Sequence, residues 1–385
     1  MQVEHVGHVP TPLSTAGSSI ATVIRELARQ QERAGGRTTV AVSHNRDLRI
    51  PNATNLLVDY TATCPREWFT PWEYRADFVA GALGLTRPHA GRIQRPAIDA
   101  MREAKPDVVV VHDGHYGAAG LPEWRKRWPE VRLVLHIHNP LSRSYGGREL
   151  RRLLSSTDGL IFVSEYSRTE LARRCDPFPV PSGVVLNGVN GEVFHPRGRT
   201  ESARVRVTFA GQVAPHKGAH VLLDAVAASR LEAPVVRVVG SQSHMRHDEL
   251  SEYERGLRRQ AEGLGLDVEW IPFTDQERLA GILRDTDVFC MPSLWEEPFG
   301  MAALEAMSCG AAVIASRRGG LPEACGTGAV LIEPEDTEEF ASALDALQDP
   351  AQRESRQRAA LAWASTRTWK ASFDSYQGAL SEFVS

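Results

Sequence analysis

Short apolar runs alternate with amphipathic segments along almost the whole chain. Runs such as Asp107–Val111 and Leu133–Ile137 have the length and the Val/Ile/Leu content of buried strands. Between the runs Val3–Val6 and Thr38–Val42, Ile20, Ile24 and Leu27 recur at helical spacing. Strands that alternate with helices are typical of parallel sheets joined by crossover helices. The pattern therefore predicts an α/β protein.

The alternation occurs in two series. The first contains candidate strands at Val3–Val6, Thr38–Val42, Asp107–Val111, Leu133–Ile137, Gly159–Val163 and Gly183–Leu186. The second contains Val205–Ala210, Val235–Val239, Val268–Ile271, Val288–Met291, Ala312–Ala315 and Val330–Ile332. Around residues 188–198 the pattern lapses into polar and turn residues. We predict Rossmann-like domains at 1–195 and 196–365, and a terminal helix within 366–385 whose apolar stripe packs back on the first domain.

The composition narrows the class of protein. With 42% hydrophobic and 24% charged residues, the 385-residue chain resembles soluble globular proteins. A net charge of -4 gives no reason to expect nucleic-acid binding. The five cysteines contain no C-x-x-C pair, and no apolar run is long enough for a membrane span. We therefore expect a cytoplasmic protein in a reducing compartment, without a leader segment.

Two segments of the second series have the residues of a ligand site, one suited to an anion and the other to hydroxyl groups. In the loop Gly211-Gln212-Val213-Ala214-Pro215-His216-Lys217-Gly218, glycines allow close backbone approach and Lys217 adds a positive charge before a helix. An ordinary turn with a solvated lysine is the alternative. In the segment from Glu296 to Met307, Glu297 precedes a helix and Glu305 is predicted two turns into it. Carboxylates suit vicinal hydroxyls, although dipole compensation and a solvated face are the structural alternatives.

Together these segments resemble the retaining GT-B glycosyltransferases of family 4. The resemblance covers nearly the whole chain and depends on the loop ending in Lys217-Gly218, on the Glu296-Glu297-Pro298-Phe299-Gly300 segment with its seven-residue spacing to Glu305, and on Gly319-Gly320-Leu321-Pro322-Glu323. It implies two Rossmann-like domains facing across a cleft. It also implies transfer of a sugar from a nucleotide diphosphate donor, UDP- or GDP-linked, to a hydroxyl acceptor that is a glycan or a small molecule.

The resemblance also assigns roles to residues. Lys217 would contact the donor diphosphate, Glu305 the ribose hydroxyls, and Glu297 the transferred sugar. The resemblance also implies donor contacts for further residues of the loop before the first of these helices and of the start of the second: Gly211, Gln212, Gly218, Phe299, Gly300 and Met301. The family usually has arginine where this chain has Gln212, so one phosphate charge lacks that partner, which bears on donor affinity and pose.

The first series offers a loop and a histidine. Ser14, Thr15, Ala16 and Gly17 occupy the family's small-residue loop after the first strand, which would lie against the diphosphate and acceptor; a helix cap is the compatible alternative. His138 matches the family histidine near the reacting sugar, and we count it with Lys217 and Glu297 as catalytic. A structural role is its alternative.

Neighbouring histidines raise the question of a metal. His112 and His115 lie at the end of another strand, near His136 and His138, so zinc is conceivable. Neither pair has the spacing of a zinc motif, and the resemblance implies metal-independent donor binding, so we predict no metal and no cofactor beyond the nucleotide sugar as co-substrate.

Two surface features have ordinary explanations. Trp68, Phe69, Trp72 and Tyr74 could form an acceptor wall, but we favour the small core of a loop insertion. Arginines at 143, 148, 151, 152, 168, 173 and 174 could meet an anionic acceptor or a membrane surface, and we favour solvated faces. The sequence predicts no oligomeric state.

Rival functions remain open. A catalytically silent nucleotide-sugar-binding subunit is consistent with the missing arginine, and a sugar-nucleotide epimerase or a phosphorylase of related fold would share the architecture. A nicotinamide dehydrogenase is disfavoured because no G-x-G-x-x-G follows the first strand.

Overall fold

The computed structural model describes residues 3–10, 18–61, 63, 70–113, 117–198, 204–242 and 249–384. The chain forms two compact units, Met1–Leu186 with Trp369–Ser385, and Asn187–Thr368. Each unit contains one parallel β-sheet with crossover helices, of seven and six strands. This confirms the predicted α/β class with two Rossmann-like sheets.

The first unit is built on a sheet with the strand order β3-β2-β1-β4-β5-β6-β7. Its strands are β1 His5–Val9, β2 Arg37–Ser43, β3 Thr54–Val58, β4 Val108–His112, β5 Leu133–Ile137, β6 Gly159–Phe162 and β7 Ser182–Val184. Its helices before residue 187 are α1 Ser19–Arg33, α2 Pro71–Ala82, α3 Pro88–Ile93, α4 Arg95–Ala104, α5 Leu121–Arg127, α6 Gly147–Leu154 and α7 Glu165–Ala172. The strand order reverses between β1 and β4, which defines the first switch point.

The second unit has the strand order β10-β9-β8-β11-β12-β13. Its strands are β8 Arg206–Ala210, β9 Val235–Val239, β10 Val268–Ile271, β11 Val288–Met291, β12 Ala312–Ser316 and β13 Ala329–Ile332. Its helices are α8 Ala219–Ala228, α9 Glu252–Gly263, α10 Gln276–Arg284, α11 Met301–Ser308, α12 Leu321–Cys325, α13 Thr337–Ala346 and α14 Pro350–Ser365. The order reverses between β8 and β11, which defines the second switch point.

The terminal helix α15, Trp369–Phe383, returns to the first unit. Gly159 at the start of β6 leaves room for it, because a Cβ there would lie 2.2 Å from the Phe383 ring. On the same helix, Gln377 Nε2 donates to Gln31 Oε1 of α1 at 2.5 Å. The apolar stripe of α15 is buried through Trp369, Phe373 and Leu380, among others. Its burial therefore removes apolar surface of the first unit from water.

The division between the units falls earlier than the boundary predicted at 195. The segment after Leu186 belongs with the second unit because it hydrogen-bonds there: Val189 N donates to Arg367 O at 2.8 Å. Ser308 Oγ donates to Phe194 O at 2.7 Å. Turn composition marked the region, but these contacts fix the boundary.

Several predicted bounds shift. The first strand is His5–Val9 rather than Val3–Val6, and Glu305 lies one turn into α11 rather than two, because α11 begins at Met301. The strand β3 and the helix α14 had no predicted counterpart. Within the described part of the chain, no helix has both the length and the apolar character needed to cross a membrane.

Candidate functional site

The loop after β8 is shaped by two glycines. Gly211 has φ 156 and its N–H donates to Val239 O at 3.0 Å, which continues the sheet contact into the loop. Gly218 has φ 76, and a Cβ on it would lie 1.9 Å from Pro292 O. No other residue type fits that position without displacing the backbone after β11. The loop around Lys217 is therefore packed directly against the neighbouring strand end.

Lys217 and Glu297 meet at the second switch point. Lys217 Nζ lies 2.7 Å from Glu297 Oε1, and Ser293 Oγ donates to the same oxygen at 2.6 Å. The ammonium also lies 4.7 Å from the centroid of the Trp295 ring. Glu297 is buried, and Lys217 is mostly buried. The structure thus brings together two residues that the sequence assigned from separate loops, and their opposite charges offset one another inside the protein.

The double glycine after β12 supports the Glu296–Gly300 segment. Gly319 N donates to Glu296 Oε2 and Gly320 N donates to Glu297 O, both at 2.6 Å. A Cβ on Gly319 would lie 2.2 Å from Glu297 O, and its φ of 61 also favours glycine. The Gly319-Gly320 pair therefore holds the backbone of Glu297 in place.

Two helices that begin at this switch point lack a side-chain cap. α8 and α11 start after Gly218 and Gly300, both left-handed, and neither has a side-chain hydrogen bond to its first turn. In the same unit α9, α10, α13 and α14 are each capped by a serine or aspartate oxygen, from Ser251, Asp275, Asp336 and Asp349, whereas the short helix α12 also lacks a side-chain cap. Uncapped N–H groups with the positive end of the helix dipole favour an anion. The two helix starts at the switch point are thus available to one.

The helix-start residues differ in exposure. Phe299 is buried, and Met301 is the first, partly exposed residue of α11. A Cβ on Gly300 would lie 2.4 Å from the Leu321 side chain, which explains the glycine between them. Phe299 and Gly300 are therefore both buried, and Met301 is the partly exposed residue at the start of α11.

Glu305 is a carboxyl group without a described partner. It lies four residues into α11 from Met301, about 6 Å along the helix axis. Burial raises the pKa of Glu305 to about 8, although the residue keeps some exposed surface. No hydrogen bond or ion pair joins its side chain to any residue in the described ranges. A carboxyl group in this state is able to accept hydroxyl donors from a ligand.

Gln212, for which the resemblance implies an arginine in the family, lies in the loop after β8. Its Nε2 donates to Gln242 O at 2.8 Å, so its amide is tied to the loop after β9. The side chain brings no charge to the switch point.

Four buried histidines lie at the first switch point. His8 on β1, His112 on β4 and His136 on β5 belong to adjacent strands, and His138 follows β5. His8 Nδ1 lies 2.8 Å from His112 Nε2, and His112 Nδ1 lies 2.9 Å from His138 Nε2. Each contact is a hydrogen bond in which one imidazole donates its N–H. The three rings form a continuous chain, which we call the histidine chain.

Burial keeps these imidazoles uncharged. Desolvation lowers the pKa of His8 and of His138 to about 3, and it lowers the pKa of His112 and His136 well below the usual value. Tyr376 of α15 closes one side, with its ring 6.2 Å from His8 and 6.1 Å from His136. The terminal helix therefore contributes to this site.

Asp113 positions the backbone that carries His138. His138 N donates to Asp113 Oδ1 at 2.6 Å, and Asn139 N donates to Oδ2 at 2.8 Å. Burial raises the pKa of Asp113 to about 7, and the two backbone donors act in the opposite direction. The carboxyl thus fixes the turn after β5.

The histidines also form the candidate metal cluster among the described residues. One ring nitrogen each from His112, His136 and His138 lies within 4.8 Å of the others. Both nitrogens of His112 are used in the histidine chain, whereas both nitrogens of His136 lack a described partner. A metal ion would have to replace existing hydrogen bonds, so the arrangement is more consistent with hydrogen-bonded imidazoles.

Sequence reasoning missed His8, because the predicted first strand stopped at Val6. With the strand ending at Val9, His8 lies at its carboxyl end, beside the switch point. A first strand predicted with these bounds would have identified His8 as a candidate site residue. The predicted loop residues Ser14, Thr15, Ala16 and Gly17, and also His115, lie outside the described residues.

Two parallel-sheet units with these loops define a GT-B glycosyltransferase. The model for "Glycosyl transferases group 1" matches residues 191–363, and the model for "Glycosyltransferase Family 4" matches residues 20–193. A D-inositol 3-phosphate glycosyltransferase from Streptomyces griseus is 31% identical, and the match covers 86% of this chain and 77% of the relative. The chain therefore belongs to the group 1 (family 4) glycosyltransferases.

Solved structures agree on the fold. Sucrose-phosphate synthase from Thermosynechococcus elongatus superposes with a TM-score of 0.74 at 17% identity, covering 98% of both chains. The Anabaena HepE protein in complex with UDP-glucose superposes with a TM-score of 0.73 at 18% identity, covering 98% of this chain and 99% of that one.

Proposed function

We propose that this glycosyltransferase takes a hexose from a UDP- or GDP-linked donor and passes it, with retention of anomeric configuration, to a hydroxyl group of a glycan or small molecule. The observation that carries the proposal is the meeting of Lys217 with Glu297 beside the uncapped starts of α8 and α11. A cation and two helix N-termini at one strand reversal suit a diphosphate.

The donor is held by complementary groups. Lys217 and the first-turn amides of α8 and α11 meet the diphosphate, and Glu305 accepts the ribose hydroxyls. When phosphate engages Lys217, Glu297 exchanges its ion pair for sugar hydroxyls and keeps Ser293 as a donor. The uridine nucleotide is supported by HepE, which was solved with UDP-glucose.

The chemistry needs charge stabilisation more than a base. As the glycosidic bond to the diphosphate breaks, negative charge grows on the leaving phosphate and positive charge on the sugar ring. Lys217 and the helix starts stabilise the first without a metal ion. The leaving phosphate accepts the proton of the attacking hydroxyl, so both bond changes occur on one face. In the first unit, the uncharged His138 offers a hydrogen bond to a substrate hydroxyl.

A two-stage experiment tests the proposal. Thermal unfolding is first followed with UDP, GDP, ADP and dTDP, because a ligand that binds only the native state raises its stability. Donor consumption is then measured with the sugar form of the stabilising nucleotide, with and without candidate acceptors such as inositol phosphate. Inositol phosphate is chosen because of the Streptomyces relative.

The second stage distinguishes a transferase from a catalytically silent binding subunit. The second possibility is considered because Gln212 brings no charge to the donor site. A protein that is stabilised by UDP but consumes no donor across a broad acceptor panel would contradict transferase activity. Anomeric analysis of the product by NMR distinguishes retention from inversion.

A further inference from the structure

The helix α2 presents its apolar side chains to solvent. Trp72 is 77% exposed and Phe78 63% exposed. The larger set, which we call the α2 patch, consists of Trp72, Tyr74, Phe78, Val79, Leu83 and Leu85. The predicted small core of a loop insertion is therefore wrong for Trp72 and Tyr74, and Trp68 and Phe69 lie outside the described residues.

The buried side of α2 is small and polar, which forces its apolar residues outward. Asp77 is buried and accepts from His89 N at 2.9 Å and from Ala90 N at 2.8 Å. Gly81 is buried against Glu149, whose carboxylate would lie 2.6 Å from a Cβ at that position. A surface helix ordinarily buries its apolar stripe and exposes its polar one. This helix does the reverse, so the exposed face calls for a partner.

A cluster of arginines adjoins the α2 patch. Arg148, Arg151, Arg152 and Arg174 line one surface depression beside α6. Arg152 Nη1 donates to Gly84 O at 2.5 Å, directly after the end of α2, which joins the cluster to the patch. The nearby carboxylate of Glu149 is already paired with Arg87 at 2.7 Å. None of the described carboxylates forms an ion pair with Arg148, Arg151 or Arg174.

We propose that the α2 patch and this arginine cluster together dock the protein on a membrane surface rich in anionic phospholipid. Tryptophan and tyrosine settle at the boundary between water and acyl chains, where an apolar ring and a polar edge are both satisfied. Arginine forks pair with lipid phosphates. The exposed apolar helix enters the interface, and the adjoining arginines meet the headgroups.

Charge favours a lipid surface over a second copy of the chain. A twofold contact places the same patch on both sides, which would bring the two unpaired arginine clusters near each other. A bilayer with anionic headgroups supplies the opposite charge instead. The chain as a whole is net negative, at -4, so attraction to such a surface has to come from a local region like this one.

Vesicle co-sedimentation of the full-length protein tests the inference. Vesicles of phosphatidylglycerol with phosphatidylcholine are compared with vesicles of phosphatidylcholine alone, at low and high salt. We expect binding only to the anionic vesicles. Trp72→Ser with Phe78→Ser should weaken it on the order of tenfold, through lost apolar burial. Arg148→Ala with Arg174→Ala should weaken it about twenty-five-fold at low salt, about fivefold for each charge.

The matched control carries the same types of change in the second unit. Leu264→Ser with Arg356→Ala replaces an exposed leucine and an exposed arginine there, and should bind vesicles as the unchanged protein does. Equal binding by the patch variants, or absence of binding to anionic vesicles, would overturn the inference. So would self-association in sedimentation velocity that the Trp72/Phe78 variant abolishes, because the patch would then join two copies. None of these variants alters residues assigned to sugar transfer.

Discussion

The two switch points use opposite kinds of polar chemistry. At the second, Lys217 and Glu297 form an ion pair at 2.7 Å. At the first, His8, His112 and His138 are joined by hydrogen bonds and kept neutral by burial. A charged, uncapped site suits a diphosphate, whereas neutral donors and acceptors suit sugar or acceptor hydroxyls. One architecture thus provides two different kinds of site at equivalent positions in its two sheets.

Loss of the Lys217 ammonium should have the largest effect on the rate of sugar transfer. Lys217→Ala is expected to lower kcat by about a hundredfold to a thousandfold, because removal of one preorganised group at developing charge typically costs that much. The variant also leaves Glu297 with Ser293 as its remaining side-chain donor. The rate is measured with saturating nucleotide sugar, and thermal unfolding checks the fold.

The matched control for that variant is Lys370→Ala. Lys370 is an exposed lysine of α15, paired with Asp374 at 2.6 Å, and its removal should leave transfer unchanged. If both lysine variants kept the full rate, the second switch point would not bind the leaving diphosphate.

The next largest effect tests the neutral site. His138→Asn is expected to reduce kcat by about tenfold to a hundredfold, as loss of one strong hydrogen bond in the transition state does. UDP affinity should not change, because the residue belongs to the first switch point. Isothermal calorimetry with UDP and steady-state rates separate the two quantities. His44→Asn, at an exposed histidine of the same unit, is the control, and a parallel loss of UDP affinity would contradict the division of roles.

The sequence predicted the charged site better than the neutral one, for a physical reason. Lys217, Glu297 and their glycines lie in short contiguous segments, where loop geometry and helix polarity can be inferred locally. The histidine chain depends on register between distant strands, and a shift of the first strand to His5–Val9 was enough to hide His8. Likewise the aromatic residues around Trp72 were predicted to form the core of a loop insertion. The outward orientation of α2 is decided by Asp77, which binds the start of α3, and by Gly81, which packs against the distant Glu149.

A smaller effect should appear in the pH dependence of donor binding. The pKa of Glu305 is raised to about 8, so its carboxyl is mostly protonated at neutral pH. The ionised carboxylate accepts hydrogen bonds from both ribose hydroxyls better than the protonated carboxyl does. Below that pKa, UDP binding must therefore be accompanied by release of the Glu305 proton. UDP affinity should therefore rise about tenfold between roughly pH 7 and 9, then level off. Calorimetry of UDP across this range measures it.

The control for this effect is Glu305→Gln, which keeps the side-chain shape but does not titrate. Its UDP affinity should be flat from pH 7 to 9 apart from the titration of the nucleotide, which is common to both proteins. A rise of the same size in the variant would show that another group controls the pH dependence.

The smallest expected effect comes from restoring charge at residue 212. Gln212→Arg adds a guanidinium near the diphosphate at the cost of the bond to Gln242 O, so we expect UDP to bind about threefold more tightly, in the range of a partly exposed ion pair. Uridine without phosphate should bind unchanged, and Gln212→Lys should gain less, because an ammonium lacks the planar fork that matches phosphate. An equal gain for uridine and UDP would mean that the arginine contacts the nucleoside. The preference of the second switch point for anions would then come from Lys217 and the helix starts alone.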